Sequence, residues 1–178
     1  FNLKSKNIYA ETKRKAEIEL LKLSKKTDMK ICIVRPSLVY GPKLKGNLLT
    51  MRKAIDKGWF PPLPNIQNAR SMIHVDDLVE ACFLVENKGV DGEIYNVTDG
   101  FDYSTTEIYE TLSEMAHKKP PLLRIPLVVL KILKKISLGN LKITLNKLLE
   151  DEQYNNSKIE ELGFRAKLRF ENLNETLF

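Results

Sequence analysis

The sequence predicts an α/β fold built on a parallel sheet. Apolar residues recur at helical spacing from Ile8 to Lys26, and Ile31 to Val34 is a short continuous apolar run. Such a run suits a strand buried on both faces of a parallel sheet, and a helix leading directly into it is half of a βαβ repeat. The 178 residues, 43% of them hydrophobic, can build one core.

The first helix carries Ala16, Leu20 and Leu23 at helical spacing, with Leu21 alongside, among strong helix formers. We expect one long amphipathic helix. The Arg35-Pro36 pair is expected to end the strand that follows.

After the turn signal Tyr40-Gly41-Pro42, the stretch from Asn47 to Lys57 reads as a second helix, closed by Gly58. The stretch from Trp59 to Pro64 contains three prolines and is expected to be irregular. Ser71 to Val75 is strand-like.

We expect Asp76 to cap a helix that runs through Glu86. Ile94 to Val97 is another short strand. Ser104 and Glu107 have the spacing of a capping box for a helix that ends at His117. Two further helices are expected, Leu127 to Ile136 after Pro126 and Ser157 to Leu162 before Gly163.

The net charge of +6 does not predict nucleic-acid binding, because the lysines alternate with acidic residues and no basic stripe is interleaved with aromatics. The excess positive charge is better explained by attraction of a phosphorylated small molecule than by binding of a nucleic acid. No apolar run reaches the roughly 18 residues that span a bilayer, and no signal peptide precedes the first helix, so we expect a soluble, cytoplasmic domain without a membrane partner. Cys32 and Cys82 lack CxxC spacing and are expected to be buried free thiols, and no metal site is expected.

Tyr9 and Lys13 lie four residues apart on the first helix, so their side chains project into one region. A phenol has a pKa of about 10, but an ammonium at about 4 Å favours the phenolate by up to roughly 4 kcal/mol at intermediate dielectric. The pair can therefore form an acid–base unit. The simpler alternative is a surface aromatic beside a solvated lysine.

Three motifs in the same order resemble the extended short-chain dehydrogenase/reductases, the NAD-dependent epimerase/dehydratase family that acts on nucleotide sugars. They are the segments from Arg35 to Pro42, from Arg70 to Leu78 and from Ile94 to Gly100. The resemblance implies the C-terminal part of an NAD(P)-binding Rossmann fold plus a smaller mixed α/β substrate-binding lobe. It implies that residues 1–45 are the remainder of the Rossmann domain and that residues 46–178 are mainly the substrate-binding lobe. Residues 70–97 would partly return to the Rossmann sheet.

By resemblance, Tyr9 exchanges a proton with a sugar hydroxyl, and Lys13 lowers the pKa of Tyr9 and bonds the nicotinamide ribose. Pro36 and Ser37 would lie along the nicotinamide of NAD, with NADP as the alternative cofactor. A proline that simply ends a strand is the alternative for Pro36.

The resemblance also implies substrate-binding residues. Arg70 would grip the nucleotide diphosphate with its planar, permanently charged fork, and a solvated surface arginine is the alternative. Asn47 and Leu48 would lie beside the substrate phosphates, with simple helix capping as the alternative for Asn47. The segment from Trp59 to Pro64 would lie near the base, whereas His74 is expected to be a core histidine.

The chain departs from the family pattern at two places. It contains no glycine-rich G-x-x-G-x-x-G turn for the cofactor pyrophosphate, so we expect a piece of a longer enzyme that is inactive alone. Leu38 stands where many epimerases of the family carry a substrate-contacting asparagine.

The expected parent is a UDP-sugar 4-epimerase, for UDP-glucose or a UDP-N-acetylhexosamine, of surface-polysaccharide synthesis. A 4-ketoreductase or dehydratase of the same family is the first alternative, and a non-catalytic Rossmann-like binding or regulatory protein is the second. A homodimer through the Tyr9 helix is one expectation for assembly. A membrane-surface role for Leu127 to Ile136 is left open beside the simpler packing against the substrate lobe.

Overall fold

The computed structural model describes residues 8–61, 63–119 and 124–172 and has an α/β architecture. In chain order its elements are α1 (Ile8–Ser24), β1 (Ile33–Pro36), β2 (Leu38–Tyr40), α2 (Gly46–Asp56), β3 (Arg70–His74), α3 (Val75–Lys88), β4 (Ile94–Val97), β5 (Asp102–Tyr103), α4 (Thr105–Met115), α5 (Leu127–Ile136), α6 (Gly139–Leu149), α7 (Ser157–Glu161) and a 3₁₀ turn (Phe170–Asn172).

The strands form two small sheets with parallel pairing in each. β1 pairs with β4, with Ile33 opposite Ile94, and β2 pairs with β3, with Leu38 opposite Met72. β5 adds to β3 in the antiparallel sense. Strands from residues 70–97 therefore pair with strands from the first 40 residues, while the division into two domains stays a prediction.

β1 lies two residues later than predicted and includes Arg35 and Pro36. The N–H of Ile31 donates to the Asp91 carboxylate at 2.7 Å instead of to a neighbouring strand. The ladder therefore begins at Ile33, whose N–H donates to the carbonyl of Glu93.

The apolar side of α1 is not buried by the described residues. Ala16, Leu20 and Leu23 are exposed, and Ser24 is the buried residue of this helix. The helix was expected to be amphipathic, but these apolar residues are exposed in the described part of the chain.

The N-cap of α3 is His74 and not Asp76, so that prediction is wrong. The His74 Nδ1 accepts a hydrogen bond from the N–H of Asp76 at 3.2 Å. Its ring is fully buried and lies edge-on to Tyr40 at 5.2 Å, which confirms His74 as a core histidine. Asp77 is buried as well, and its Oδ2 accepts the N–H groups of Lys167 and Leu168.

The prediction that both cysteines are buried is also wrong. Cys82 is exposed, and Cys32 is only partly buried. The apolar run that suggested burial for Cys82 belongs to α3, in which Ala81 and Val85, one turn apart, face the core. Both cysteines are free thiols.

The capping box of α4 is confirmed. The Ser104 Oγ accepts the N–H of Glu107 at 3.0 Å, and a Glu107 carboxylate oxygen accepts the N–H of Ser104 at 2.7 Å. The helix ends at Met115, two residues before the predicted His117. α5 has the predicted bounds, whereas α6, β2 and β5 were not predicted.

The apolar interior is divided into two clusters. The larger joins β2, α2, β5, α4, α5, α6 and Phe170, and the smaller joins α3, β4 and α7. β3 contributes to both, with Met72 in the larger and Ile73 in the smaller. None of the helices within the described ranges is long and apolar enough to cross a membrane.

Candidate active site

A cavity of about 230 Å³ lies between α2, α4 and α6. All three residues predicted to bind substrate contribute to it, and most of the remaining wall is apolar. Its lining is Leu38, Asn47, Leu48, Thr50, Met51, Ala54, Phe60, Arg70, Thr105, Ile108, Ile143, Thr144, Lys147 and Leu148.

Arg70 is the buried cation of this wall, with 8% of its surface exposed. Its Nη2 donates to the Glu152 carboxylate at 2.6 Å, and its Nη1 donates to the carbonyl of Lys147. The alternative of a solvated surface arginine is therefore wrong. A guanidinium has five N–H donors, so these two bonds leave donors for an anion in the cavity.

Asn47 lies in the first turn of α2 and is exposed at the cavity. The N-cap of α2 is Lys45, which makes no side-chain capping bond, so Asn47 does not cap the helix. The first turn contains no acidic residue. Its N–H groups and the positive end of the helix dipole are thus available to an anion.

Leu48 behaves differently from the other two predicted substrate residues. Its side chain is buried in the larger core cluster, against which Leu38 and Met51 also pack. Leu48 can therefore shape the cavity as an apolar wall but offers no polar side-chain atom to a phosphate.

Tyr9 and Lys13 lie on one face of α1, as the spacing predicts. The Lys13 Nζ is 5.7 Å from the centroid of the Tyr9 ring, and 69% of the Tyr9 surface is exposed. Glu17 follows after one further helical turn, so the same face continues to this carboxylate.

Glu17 connects that face to the sheet. Arg35 of β1 donates to both oxygens of the Glu17 carboxylate, from Nη2 at 2.5 Å and from Nε at 2.9 Å. The hydrogen bonds from Arg35 hold the pKa of Glu17 below its ordinary value, against the opposing effect of burial. This pair thus fixes the tyrosine-bearing face of α1 relative to the carboxyl end of β1.

Pro36 is the last residue of β1, and Ser37 follows it. The Ser37 N–H donates to the carbonyl of Val97 at 3.0 Å, but its buried Oγ has no hydrogen-bond partner in the described part of the chain. In open α/β sheets, ligands bind beside the carboxyl ends of parallel strands. An unsatisfied buried hydroxyl there fits a polar ligand group.

A second, buried polar cluster lies at the end of β2. Asp99 is 5% exposed, and its Oδ2 accepts hydrogen bonds from Tyr103 at 2.9 Å and Tyr40 at 3.3 Å. Burial raises the pKa of Asp99 to about 6, and burial also raises the pKa of both phenols. The Leu168 carbonyl oxygen lies 3.2 Å from the same Tyr40 hydroxyl, whose single proton is shared between this carbonyl and Asp99, so the cluster joins the last described segment to the end of β2.

Sequence reasoning missed three features of this region. The ion pairs Arg35–Glu17 and Arg70–Glu152 join residues 18 and 82 positions apart, a separation at which no local pattern is visible. The contribution of α6 was missed together with the helix itself. Within the described ranges, acidic, histidine and cysteine side chains form no group of three that could hold a metal ion.

Comparison with known sequences places these features in context. The NAD dependent epimerase/dehydratase family matches residues 1–98. UDP-glucose 4-epimerase of Vibrio cholerae is 31% identical over 130 residues, which cover 72% of this chain and 40% of that protein.

A second relative, N-acetyl-alpha-D-glucosaminyl-diphospho-ditrans,octacis-undecaprenol 4-epimerase of Escherichia coli O157:H7, is 25% identical over 175 residues, 90% of this chain and 52% of that protein. The chain thus spans about half or less of the length of these curated relatives.

Solved structures share the fold. The Thermotoga maritima UDP-glucose 4-epimerase with UDP-glucose superposes with a TM-score of 0.68 at 20% identity, over 92% of this chain and 49% of that one. The Bordetella bronchiseptica enzyme WbmF, in complex with NAD+ and UDP, gives 0.69 at 20% identity, over 97% and 51%. The predicted Rossmann-type α/β class is confirmed.

Proposed function

Because the chain belongs to the NAD-dependent epimerase/dehydratase family, we propose that the full-length protein is a UDP-sugar 4-epimerase that uses NAD. The proposed substrate is UDP-glucose or a UDP-N-acetylhexosamine. The proposed enzyme acts in the cytoplasm and serves surface-polysaccharide synthesis. Two relatives that match this chain carry the words 4-epimerase in their names, which supports this choice within the family.

Tyr9 is the acid–base residue of the proposed reaction. It takes the proton of the sugar C4 hydroxyl and returns it after the configuration at C4 has changed. Lys13, on the same helical face with its Nζ 5.7 Å from the centroid of the Tyr9 ring, bonds the ribose of the cofactor in this proposal. The single observation that carries the proposal is this pair on a helix that Arg35 and Glu17 fix to the carboxyl end of β1.

When bound, NAD would supply the hydride chemistry at C4. Pro36 and Ser37 are the residues of this chain proposed to lie along the nicotinamide, and the buried, unsatisfied Oγ of Ser37 supports that role. The 178 residues contain no glycine-rich turn for the pyrophosphate, so that end of NAD must be held by other parts of the parent.

The cavity beside α2 is the proposed site for the nucleotide diphosphate. Arg70 supplies guanidinium donors, Asn47 supplies an amide, and the first turn of α2 supplies backbone N–H groups. Leu48 closes the apolar wall. The volume of about 230 Å³ suits one part of a nucleotide sugar rather than the whole molecule.

A 4-ketoreductase or dehydratase is the second candidate, and Leu38 favours it. This side chain lines the cavity at the position where many epimerases resembling this chain carry asparagine. Leucine at this position leaves the substrate without the amide contact that the resemblance implies for those epimerases.

The direct test is to incubate the full-length protein with NAD and with UDP-glucose or UDP-N-acetylglucosamine, and to identify the products by proton NMR. An epimerase interconverts each sugar with its 4-epimer, whereas a dehydratase releases a 4-keto-6-deoxy sugar. Tyr9→Phe should abolish turnover and leave cofactor binding by calorimetry largely intact. Retained turnover in Tyr9→Phe would remove Tyr9 from the mechanism, and absence of binding to both NAD and the nucleotide sugars would support the non-catalytic alternative.

We also propose that the parent forms a homodimer through α1. Ile18, Leu20 and Leu23 are exposed on this helix in the described part of the chain. Leu20→Glu should convert a dimer to a monomer in light scattering, while an unchanged mass would exclude this interface.

A further inference from the structure

The helical pair α5–α6 carries a charge distribution unlike that of the rest of the molecule. Its ten- and eleven-residue helices contain five lysines and no acidic residue, whereas the whole chain has 29 basic and 23 acidic residues. The two helices pack against each other, and α6 lines the cavity beside Arg70.

One side of α5 is anchored in the larger core cluster. Leu130 is buried there, and Leu127 packs against the same cluster. Lys134, on the same side, pairs with Glu150 at 2.8 Å. The orientation of α5 about its own axis is therefore set by these contacts.

The other side of α5 presents apolar side chains to solvent. At about 100° per residue these side chains occupy an uninterrupted arc of about 140°. They are Val128, Val129, Ile132, Leu133 and Ile136, and we call them the α5 apolar face. Leu138 and Leu141, at the corner between the two helices, are exposed as well.

Lysines border this face. Lys131 and Lys135 are exposed and lie next to Val128 around the helix, and Lys142 is exposed one turn into α6. A helix with an apolar face, a lysine edge and no acidic residue has the composition of helices that lie in the interface of an anionic bilayer. Lysines near such a surface are attracted by the negative headgroups, while the apolar side chains enter the acyl boundary.

We propose that the α5 apolar face docks the protein on an anionic membrane surface, with α5 lying in the plane of the bilayer. Charge complementarity between the acid-free lysine edge and anionic headgroups, beside a continuous apolar arc, favours a lipid surface as the occupant. Since α6 packs on α5 and lines the cavity, docking holds the cavity close to the headgroups. The inference does not require the proposed epimerase activity, because it concerns binding alone.

The test is flotation of the full-length protein with vesicles of phosphatidylcholine, with or without about 30% phosphatidylglycerol. Binding to the anionic vesicles is expected, with weaker binding to phosphatidylcholine alone. Ile132→Ser with Ile136→Ser should lower the partition coefficient more than about tenfold, since two branched side chains no longer enter the apolar layer.

The matched control is Val79→Ser with Phe83→Ser. Val79 and Phe83 are also one helical turn apart, with 48% and 60% of their surfaces exposed. Unlike α5, however, α3 carries acidic residues around them. This variant should float like the wild type. Lys131→Glu with Lys135→Glu should weaken binding to the anionic vesicles by about fivefold or more per lysine, and Lys25→Glu with Lys26→Glu at the end of α1 should not.

Circular dichroism verifies that each variant is folded. The proposal is wrong if the folded wild-type protein does not float with anionic vesicles, or if the Ile132/Ile136 variant floats as well as the wild type. It is also wrong if that variant changes the mass of the protein in light scattering and leaves flotation unchanged, because the face is then a protein–protein contact. Loss of flotation with unchanged turnover supports docking independently of the enzyme activity.

Discussion

Arg35 in β1 holds Glu17 in α1 through two parallel hydrogen bonds, 2.5 and 2.9 Å long. The two residues are 18 positions apart, and each is adjacent to a proposed functional group. Glu17 lies one turn beyond Lys13 on the tyrosine-bearing face, and Arg35 directly precedes Pro36 and Ser37. The pair is therefore a positioning contact between the proposed proton-transfer helix and the proposed nicotinamide side of the site.

Glu17→Gln tests this contact. The folded pKa of Glu17 is lowered, so the pair stabilises the protein above the ordinary value near 4.5 and loses that effect as the pH falls through the lowered pKa. Because the pair is partly exposed, we expect a loss of about 0.5 to 1 kcal/mol in unfolding free energy near pH 7 and almost none near pH 3. Thermal unfolding at the two pH values measures the difference.

The same variant should lower kcat by about tenfold with little change in cofactor affinity, because a helix that shifts misplaces the acid–base residue. The control is Glu19→Gln, since Glu19 bonds Lys22 on the solvent side of the same helix. A Glu17→Gln enzyme with wild-type kcat would contradict a positioning role.

Glu152→Gln tests whether Arg70 binds the diphosphate. Glu152 occupies one guanidinium nitrogen of Arg70 at 2.6 Å, so it competes with a phosphate for the same charge. Removing its negative charge should lower the KM for the UDP-sugar by about two- to fivefold, because the cation is less neutralised. Steady-state kinetics measures this change.

Glu150→Gln is the matched control, because Glu150 is exposed and pairs with Lys134 outside the cavity. A KM that rises or stays constant in Glu152→Gln, with reduced thermal stability, would indicate that Arg70 is a structural residue only.

Asp99→Asn tests the buried cluster of Asp99 with Tyr40 and Tyr103. The folded pKa of Asp99 is raised from 3.8 to about 6, so the folded protein binds more protons than the unfolded one between these values. Stability contributed by Asp99 is therefore fully present below about pH 4 and is lost as the pH rises through 6. The wild type should lose about 1 to 3 kcal/mol of unfolding free energy across this window through Asp99.

In Asp99→Asn this fall with pH should disappear, and the variant should be less stable than the wild type near pH 4. Asp99 accepts hydrogen bonds at both oxygens, from the Phe101 N–H at Oδ1 and from the phenols at Oδ2, whereas an amide has one oxygen and turns an N–H donor towards one of these donor groups. Urea unfolding at several pH values gives both quantities. The contribution of Glu17 to the unfolding free energy rises with pH instead of falling, and it changes near and below pH 4.5. The contributions of Glu17 and Asp99 can therefore be distinguished by their sign and their pH range. A pH slope that persists between 4 and 6 in Asp99→Asn would contradict the assignment.

Ser104→Ala removes the N-cap of α4. Loss of the bond to the Glu107 N–H should cost about 1 kcal/mol of unfolding free energy. Asn156→Ala is the comparison, because Asn156 caps α7 without a side-chain bond and should cost less than about 0.5 kcal/mol. Equal losses in both variants, measured by urea unfolding, would show that the capping box contributes nothing specific.

Local patterns predicted most of the regular elements. Ser104 with Glu107 located α4, and Pro126 located α5, because caps and proline act within one helical turn. β2 was missed because it is three residues long and directly follows Pro36 and Ser37. α6 was missed because Gly139 resembles a stop signal, whereas in the structure its φ of 59° starts a new helix.

The site was harder to predict than the fold. The positions of Asn47 and Arg70 at one cavity followed from motif resemblance, but their partners depend on segments distant in sequence. Glu152 reaches Arg70 across 82 residues, and Cys82 turns outward because of helical phase and not because of hydropathy. Such features arise from tertiary packing, which a local window does not contain.

The parallel pairing of the strands has a consequence for how the molecule folds. β1 can pair only after β4, about 60 residues later, has been made. Asp77 accepts the N–H groups of Lys167 and Leu168, which come near the end of the described chain. Phe170 then fills the core against Tyr40 and Tyr103. Contacts between such distant positions slow folding, because the loop must close before any pairing energy is gained. During synthesis this region therefore completes its core only after the segment around Phe170 has left the ribosome.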